Sequence, residues 1–74
     1  MDELKNLLKE TCPVVNFNKE NLMTNKVIDS MDIINIIAAL ENKYDINIEF
    51  DMIVAENFDS VEAIMAMVTK LQKQ

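Results

Sequence analysis

The adjacent pair Asp29 and Ser30 is the first candidate for chemistry in this sequence, because it stands where an amphipathic segment begins. Both residue types are preferred helix N-caps, since their side-chain oxygens accept hydrogen bonds from the free N–H groups of a first turn. If Asp29 takes the capping position, Ser30 becomes the first helical residue and its hydroxyl points outward. A phosphate group on that hydroxyl would lie at the partially positive end of the helix. Ser30 is therefore either a plain cap or a site for phosphate attachment.

Catalysis by the chain itself is not expected. The sequence contains no histidine, so neither Ser30 nor Cys12 has the usual base that activates a nucleophile. Cys12 is the only cysteine, which excludes a disulfide framework and favours a reducing, cytoplasmic location. We expect Cys12 to be a buried, small apolar residue. An enzyme with a Cys12 nucleophile is a third hypothesis, behind the two for Ser30.

A metal site is not expected either. Oxygen-bearing side chains alternate with other residues from Asp45 to Asp51, which superficially resembles a calcium loop. The glycine that such a loop needs at its sharp turn is missing, and the intervening residues are bulky. We therefore predict no metal ligands.

The segment from residue 30 to residue 44 carries two apolar strips. The first has the spacing of a core-facing helix stripe and consists of Ile33, Ile36, Ile37, Leu40 and Tyr44. Met31, Ile34 and Ala38 form a second strip, about 100–160° around the helix from the centre of the first. Either the preceding loop covers this second strip or it is an exposed partner site. The residues leave both possibilities open.

Two further segments have helical periodicity. Asp2 to Thr11 is expected to be a helix that Pro13 prevents from continuing. Ser60 to Lys73 is expected to be the last helix, and Asp59 with Glu62 resembles a capping box at its start. Their apolar stripes comprise Leu4, Leu7, Leu8, Val61, Ile64, Met65, Val68 and Leu71.

The connecting segments lack a sustained period. Residues 13 to 28 are predicted to be a long ordered loop whose apolar side chains pack onto the helices. The alternation from Asp45 to Phe50 allows a short extended piece, and Asp51 to Asn57 allows a short helix. The sequence thus predicts one all-α domain over residues 1–74, a four-helix bundle with a long loop between helices 1 and 2 and a short third helix.

The acidic composition limits the classes of partner. The net charge is −6 and the seven cationic residues, all lysines, are scattered, so nucleic-acid binding is disfavoured. No apolar run approaches the roughly 20 residues that cross a bilayer, and no targeting segment is visible. We expect a cytoplasmic monomer whose acidic surface serves solubility or binds basic proteins.

The run Ile28-Asp29-Ser30-Met31-Asp32 resembles the Asp-Ser-Leu motif of acyl and peptidyl carrier proteins, with Met31 in the place of Leu. The surrounding sequence is similar too. The motif opens an amphipathic helix after a long loop, and Asn57-Phe58-Asp59-Ser60-Val61-Glu62 looks like the family's entry into its last helix. The resemblance covers nearly the whole chain and is best from Val27 to Leu71. It implies a four-helix carrier bundle with a 4′-phosphopantetheine arm on Ser30, beside Asp29.

The resemblance also implies partners. Asp32 and Glu41 stand where the family presents acids to basic partner surfaces, and Met31, Ile34 and Ala38 match its docking patch. The partners would be a phosphopantetheinyl transferase and acyl- or aminoacyl-loading enzymes. Magnesium would be bound by the transferase, not by this chain.

Two departures indicate which kind of carrier is implied. Val27 and Ile28 precede Asp29 where fatty-acid carriers usually have glycine, and Asn35 and Asn42 occupy the outward helix face. These features favour a stand-alone carrier of a specialised pathway, of polyketide, non-ribosomal peptide or D-alanyl type, over one of fatty-acid synthesis. The alternative is an unmodified helical interaction module, in which Ser30→Ala would cost about 0.5–2 kcal/mol as the loss of a cap.

Overall fold

The computed structural model describes residues 2–73 and leaves Met1 and Gln74 outside the description. Over this range the chain forms four α-helices, one 3₁₀ turn and no strand. The order is α1 (Asp2–Thr11), α2 (Ser30–Tyr44), the 3₁₀ turn (Phe50–Met52), α3 (Ala55–Phe58) and α4 (Val61–Gln72). The all-α prediction is confirmed, as are the long connection before α2 and the short helix before α4.

One apolar core lies between the helices. α1 packs against α2 and α4, α2 packs against α4, and α3 packs against α4. α1, α2 and α4 place the residues of their predicted stripes in this core or packed against it, and α4 adds Met67, which its predicted stripe does not include. The core side chains are Leu4, Leu8, Cys12, Phe17, Leu22, Ile28, Ile36, Leu40, Ile48, Phe58, Val61, Ile64, Met67 and Val68. None of the helices described is long and apolar enough to cross a bilayer.

The connection between α1 and α2 packs most of its apolar side chains onto the helices, as predicted, but Val14 is 93% exposed. Phe17, Leu22 and Ile28 are buried in the core. The carbonyl of Leu22 accepts hydrogen bonds from the N–H groups of Val27 at 2.8 Å and Ile28 at 3.1 Å, which closes the last part of the connection into a turn. The chain has no glycine, so the left-handed backbone conformations that such turns need fall to Asn21 (φ 56°) and Lys26 (φ 57°).

The start of the last helix differs from the prediction. α4 begins at Val61, and Ser60 is its N-cap, with its Oγ accepting a hydrogen bond from the N–H of Ala63 at 3.0 Å. Asp59 instead ends α3, so the expected capping box of Asp59 and Glu62 does not form. A helix has one N-cap position, and Ser60 occupies it because Asp59 still continues the helical backbone of α3.

The segment after α2 also differs in detail. Residues 46–49 form no strand, and Glu49 has an extended backbone, which fits the short extended piece that the alternation allows. The helix expected over residues 51–57 is divided into the 3₁₀ turn and α3. The described chain has no strand that could pair with the backbone groups of this segment. The N–H of Ile48 is satisfied by the Glu41 carboxylate at 2.9 Å instead.

Candidate functional site

The start of α2 is a complete capping box formed by Asp29 and Asp32. Asp29 has an extended backbone, and its Oδ1 accepts a hydrogen bond from the N–H of Asp32 at 2.9 Å. The Oδ2 of Asp32 accepts one from the N–H of Asp29 at 3.2 Å. Of the two adjacent cap candidates, Asp29 therefore takes the capping position and Ser30 is the first helical residue. The resemblance assigns Asp32 to partner binding and gives it no part in the cap, although its spacing from Asp29 is that of a capping box.

Ser30 is exposed and lies on the wall of an open cavity of about 370 Å³. We call this cavity the Ser30 groove; its lining residues are Met23, Lys26, Ile28, Asp29, Ser30 and Ile33. Over residues 2–73, Ser30 Oγ takes part in no hydrogen bond. The hydroxyl is therefore accessible and is not used to cap the helix, which is the arrangement that attachment of a group to it requires.

Asp59 holds the loop side of the Ser30 groove in place. Its carboxylate accepts hydrogen bonds from the N–H of Met23 at 3.0 Å, the N–H of Thr24 at 2.8 Å and the hydroxyl of Thr24 at 2.7 Å. Its carbonyl accepts a further bond from the N–H of Leu22 at 2.8 Å. These donors, the Thr24 hydroxyl first, hold the pKa of Asp59 below its ordinary value. We call this set of bonds the Asp59 latch; it joins the α3–α4 junction to the turn that leads into Ser30.

The second apolar strip of α2 is uncovered. Met31 is 65% exposed and Ile34 is 59% exposed, and Ala38 is also exposed. On the opposite side of the same helix, Ile36 and Leu40 are fully buried. The connection between α1 and α2 buries Phe17, Leu22 and Ile28 in the core and does not cover the strip. The structure therefore leaves the strip exposed.

The two acids expected to face partners are both engaged within the chain. Asp32 is half-buried and completes the capping box. Glu41 is half-buried, and its Oε2 accepts the hydrogen bond from Ile48, which ties the end of α2 to the irregular segment after it. Both residues belong to α2, the helix that also carries the exposed strip. Glu41 therefore has a structural contact that periodicity could not have revealed, because its partner lies in a segment without regular structure.

Cys12 is buried, as predicted, and belongs to the core. Its Sγ lies 4.0 Å from the carbonyl oxygen of Asp32. Burial, with a further contribution from the negative charge of Asp32, raises the pKa of the Cys12 thiol to about 11. The thiol is therefore protonated at neutral pH and is a poor nucleophile.

The acidic segment that resembles a calcium loop borders a separate cavity. Asp45, Asn47, Glu49 and Asp51 line an open space of about 430 Å³ with Ile46, Met52 and Leu71. Among the described residues, no group of three or more acidic, cysteine or histidine side chains is arranged to hold a metal ion.

Comparison with protein-family models, with curated proteins and with solved structures finds no match for this chain.

Proposed function

We propose that this chain is a carrier protein that holds acyl or aminoacyl intermediates as thioesters on a 4′-phosphopantetheine arm attached to Ser30. One observation carries the proposal: Asp29 and Asp32 complete the helix cap between them, which leaves the exposed Ser30 hydroxyl free at the first position of α2. Ser30 is not needed as a cap and stands at the partially positive end of a 15-residue helix. That end stabilises the negative charge of a phosphodiester attached to the serine. The resemblance of Ile28 to Asp32 to the carrier motif supplies the identity of the group.

The attachment reaction needs a partner enzyme. Ser30 Oγ attacks the phosphorus that carries the pantetheine part of coenzyme A. The phosphoanhydride bond of coenzyme A breaks as the new P–O bond forms, and adenosine 3′,5′-bisphosphate leaves. The hydroxyl proton must pass to a base. The sequence has no histidine, so we assign that base, and the magnesium ion that stabilises the leaving phosphate, to the transferase.

The exposed strip of α2 supports the same proposal. A soluble partner enzyme must bind the chain close to Ser30 to reach the arm, and Met31, Ile34 and Ala38 provide apolar contact area on the helix that Ser30 begins. The negative charges of Asp32 and Glu41 suit a basic partner surface. The cargo would be selected by the loading enzymes, and the residues before Asp29 favour a carrier of a specialised pathway.

The decisive experiment is modification of the apo chain. We expect incubation with coenzyme A and a broad-specificity phosphopantetheinyl transferase to increase the intact mass by one phosphopantetheine group. Ser30→Ala should abolish the increase. Ser60→Ala is the matched control, because Ser30 and Ser60 are the only serines of the chain, and it should still be modified. Absence of the increase in the wild type, or its persistence in Ser30→Ala, would refute the proposal.

A second candidate function is an unmodified helical interaction module. The observation that favours it is the exposed strip of Met31, Ile34 and Ala38, which offers an apolar contact surface with or without an arm. This function needs no free hydroxyl on Ser30. It predicts that Ser30→Ala leaves partner binding and biological activity intact, whereas Ile34→Asn weakens both.

A further inference from the structure

Lys26 belongs to the Ser30 groove but has no role in the attachment reaction or in the exposed strip. Lys26 and Ser30 line the same cavity of about 370 Å³. The N–H of Lys26 donates a hydrogen bond to the carbonyl of Met23 at 3.2 Å, and its φ of 57° turns the chain back toward α2. The backbone that carries the Lys26 side chain is thus held in a defined turn, itself fastened by the Asp59 latch.

The charges around Ser30 are unbalanced if an arm is attached. Asp29 lines the groove, and Asp32 is hydrogen-bonded to it in the capping box. A phosphodiester on Ser30 would place a third negative charge beside these two carboxylates, which opposes its docking. The N-terminus of α2 compensates in part. Lys26 is the one cationic residue among those that line the groove, so it is the side chain that can neutralise the phosphate there.

The rest of the groove has the opposite character. Met23 and Ile33 are half-buried and Ile28 is almost wholly buried, so the cavity that Lys26 lines also has apolar walls. The pantetheine chain carries a branched dimethyl carbon close to its phosphate. The groove therefore offers a cation for the phosphate of the arm and apolar walls for the methyl groups that follow the phosphate.

We propose that the Ser30 groove is a docking site for the base of the arm, in which Lys26 binds the phosphodiester and the half-buried Met23 and Ile33 contact the dimethyl segment. The inference rests on the proposed function, because the arm itself supplies the phosphate. None of the strip residues Met31, Ile34 and Ala38 lines the groove. A docked arm therefore leaves the strip open, and a partner enzyme can bind there before it draws the arm away.

The test compares three modified chains. Wild type, Lys26→Gln and Lys19→Gln are converted with coenzyme A and the transferase, and intact mass establishes that each carries the arm. Lys19 is the matched control, since it is an exposed lysine of the same connection that lines a different cavity. A fluorophore on the arm thiol reports mobility through its anisotropy, and ¹H–¹⁵N spectra report which backbone amides shift between the apo and modified forms.

We expect the modified wild type to shift the amides of Met23, Lys26 and Ile28. An exposed ion pair changes an equilibrium by about 1.5- to 5-fold, so Lys26→Gln should lower the docked fraction of the arm by that factor and Lys19→Gln should not. A fourth chain, Lys26→Arg modified in the same way, should show restored docking. Added salt should weaken docking in the wild type more than in Lys26→Gln.

Two results would overturn the inference, and they differ from each other. If no chain gains the arm, the proposed function fails and the docking site with it. If all three chains gain the arm, but anisotropy is equal in all and the amides of the groove do not shift, the carrier function stands and the docking site is refuted.

Discussion

Asp29 and Ser30 are adjacent, but only Asp29 is needed for the fold of α2. The Asp29 carboxylate accepts the N–H of Asp32 and sets the helix start, while the Ser30 hydroxyl faces solvent. Residue preference alone ranks the two side chains as nearly equal caps. The difference arises because Asp32 returns a hydrogen bond to the N–H of Asp29, which favours the cap one residue before Ser30.

The stabilities of two alanine variants should show this difference. Asp29→Ala removes the acceptor of the Asp32 N–H, so we expect the free energy of unfolding to fall by about 1 kcal/mol. Ser30→Ala removes an exposed hydroxyl without a partner, and the change should stay within about 0.5 kcal/mol. Urea unfolding followed by helical circular dichroism measures both. A larger loss in Ser30→Ala than in Asp29→Ala would mean that Ser30 is the cap.

The Asp59 latch acts at the scale of elements, because it joins two segments that neither belong to one helix nor follow each other in sequence. Leu22, Met23 and Thr24 all donate to Asp59, and the turn they belong to leads into α2. Without the latch, the positions of Ser30 and Lys26 relative to α4 would depend on apolar contacts alone.

We predict that Asp59→Asn lowers the stability of the chain at neutral pH and that the difference from wild type disappears in acid. The pKa of Asp59 is lowered in the folded chain. Its stabilising contribution is therefore present above the unfolded-state pKa of about 4 and is lost as the pH falls through the lower folded-state pKa. Urea midpoints measured from pH 7 to pH 2 test this.

Asp51→Asn is the matched control for the latch, because it makes the same change of charge at an exposed site. Its effect should be small at every pH. A stability gap between Asp59→Asn and wild type that stays constant down to pH 2 would contradict the role given to the Asp59 carboxylate.

At the scale of the whole molecule, a single thin core holds the helices together. A chain of 74 residues at roughly 0.05–0.15 kcal/mol per residue has a net stability of only about 4–11 kcal/mol. Phe58 is fully buried and is one of the largest core side chains, whereas Phe50 is 90% exposed. The two phenylalanines provide a direct comparison of a core and a surface position.

We expect Phe58→Ala to lower the free energy of unfolding by about 3–5 kcal/mol, since it removes a large buried side chain and leaves a cavity. Phe50→Ala should change it by less than about 0.5 kcal/mol. Thermal and urea unfolding of both variants provide the measurement. A similar loss in the two variants would contradict the assignment of Phe58 to the core and of Phe50 to the surface.

Much of this architecture could be predicted because its signals are local. The stripes of α1, α2 and α4 follow a period of 3.6 residues, and Pro13 ends the first of them, so helix existence needed no tertiary information. The hydrogen-bonded pairs that the sequence does not predict join residues that are far apart in sequence or lie in irregular segments. Asp59 with Thr24, and Glu41 with Ile48, follow no periodic pattern, so only the packed chain brings them together.

The sequence by itself determined that the chain is helical, that Cys12 is apolar in character, and that Ser30 stands at the start of an amphipathic helix with a second apolar strip. Periodicity and capping preference depend on residues within a turn or two of helix, so the sequence alone is enough to predict them. Only the tertiary structure decided that the strip stays exposed and that Lys26 shares a groove with Ser30. Those outcomes depend on where the connection between α1 and α2 packs, and that is set by long-range contacts in the core and at Asp59.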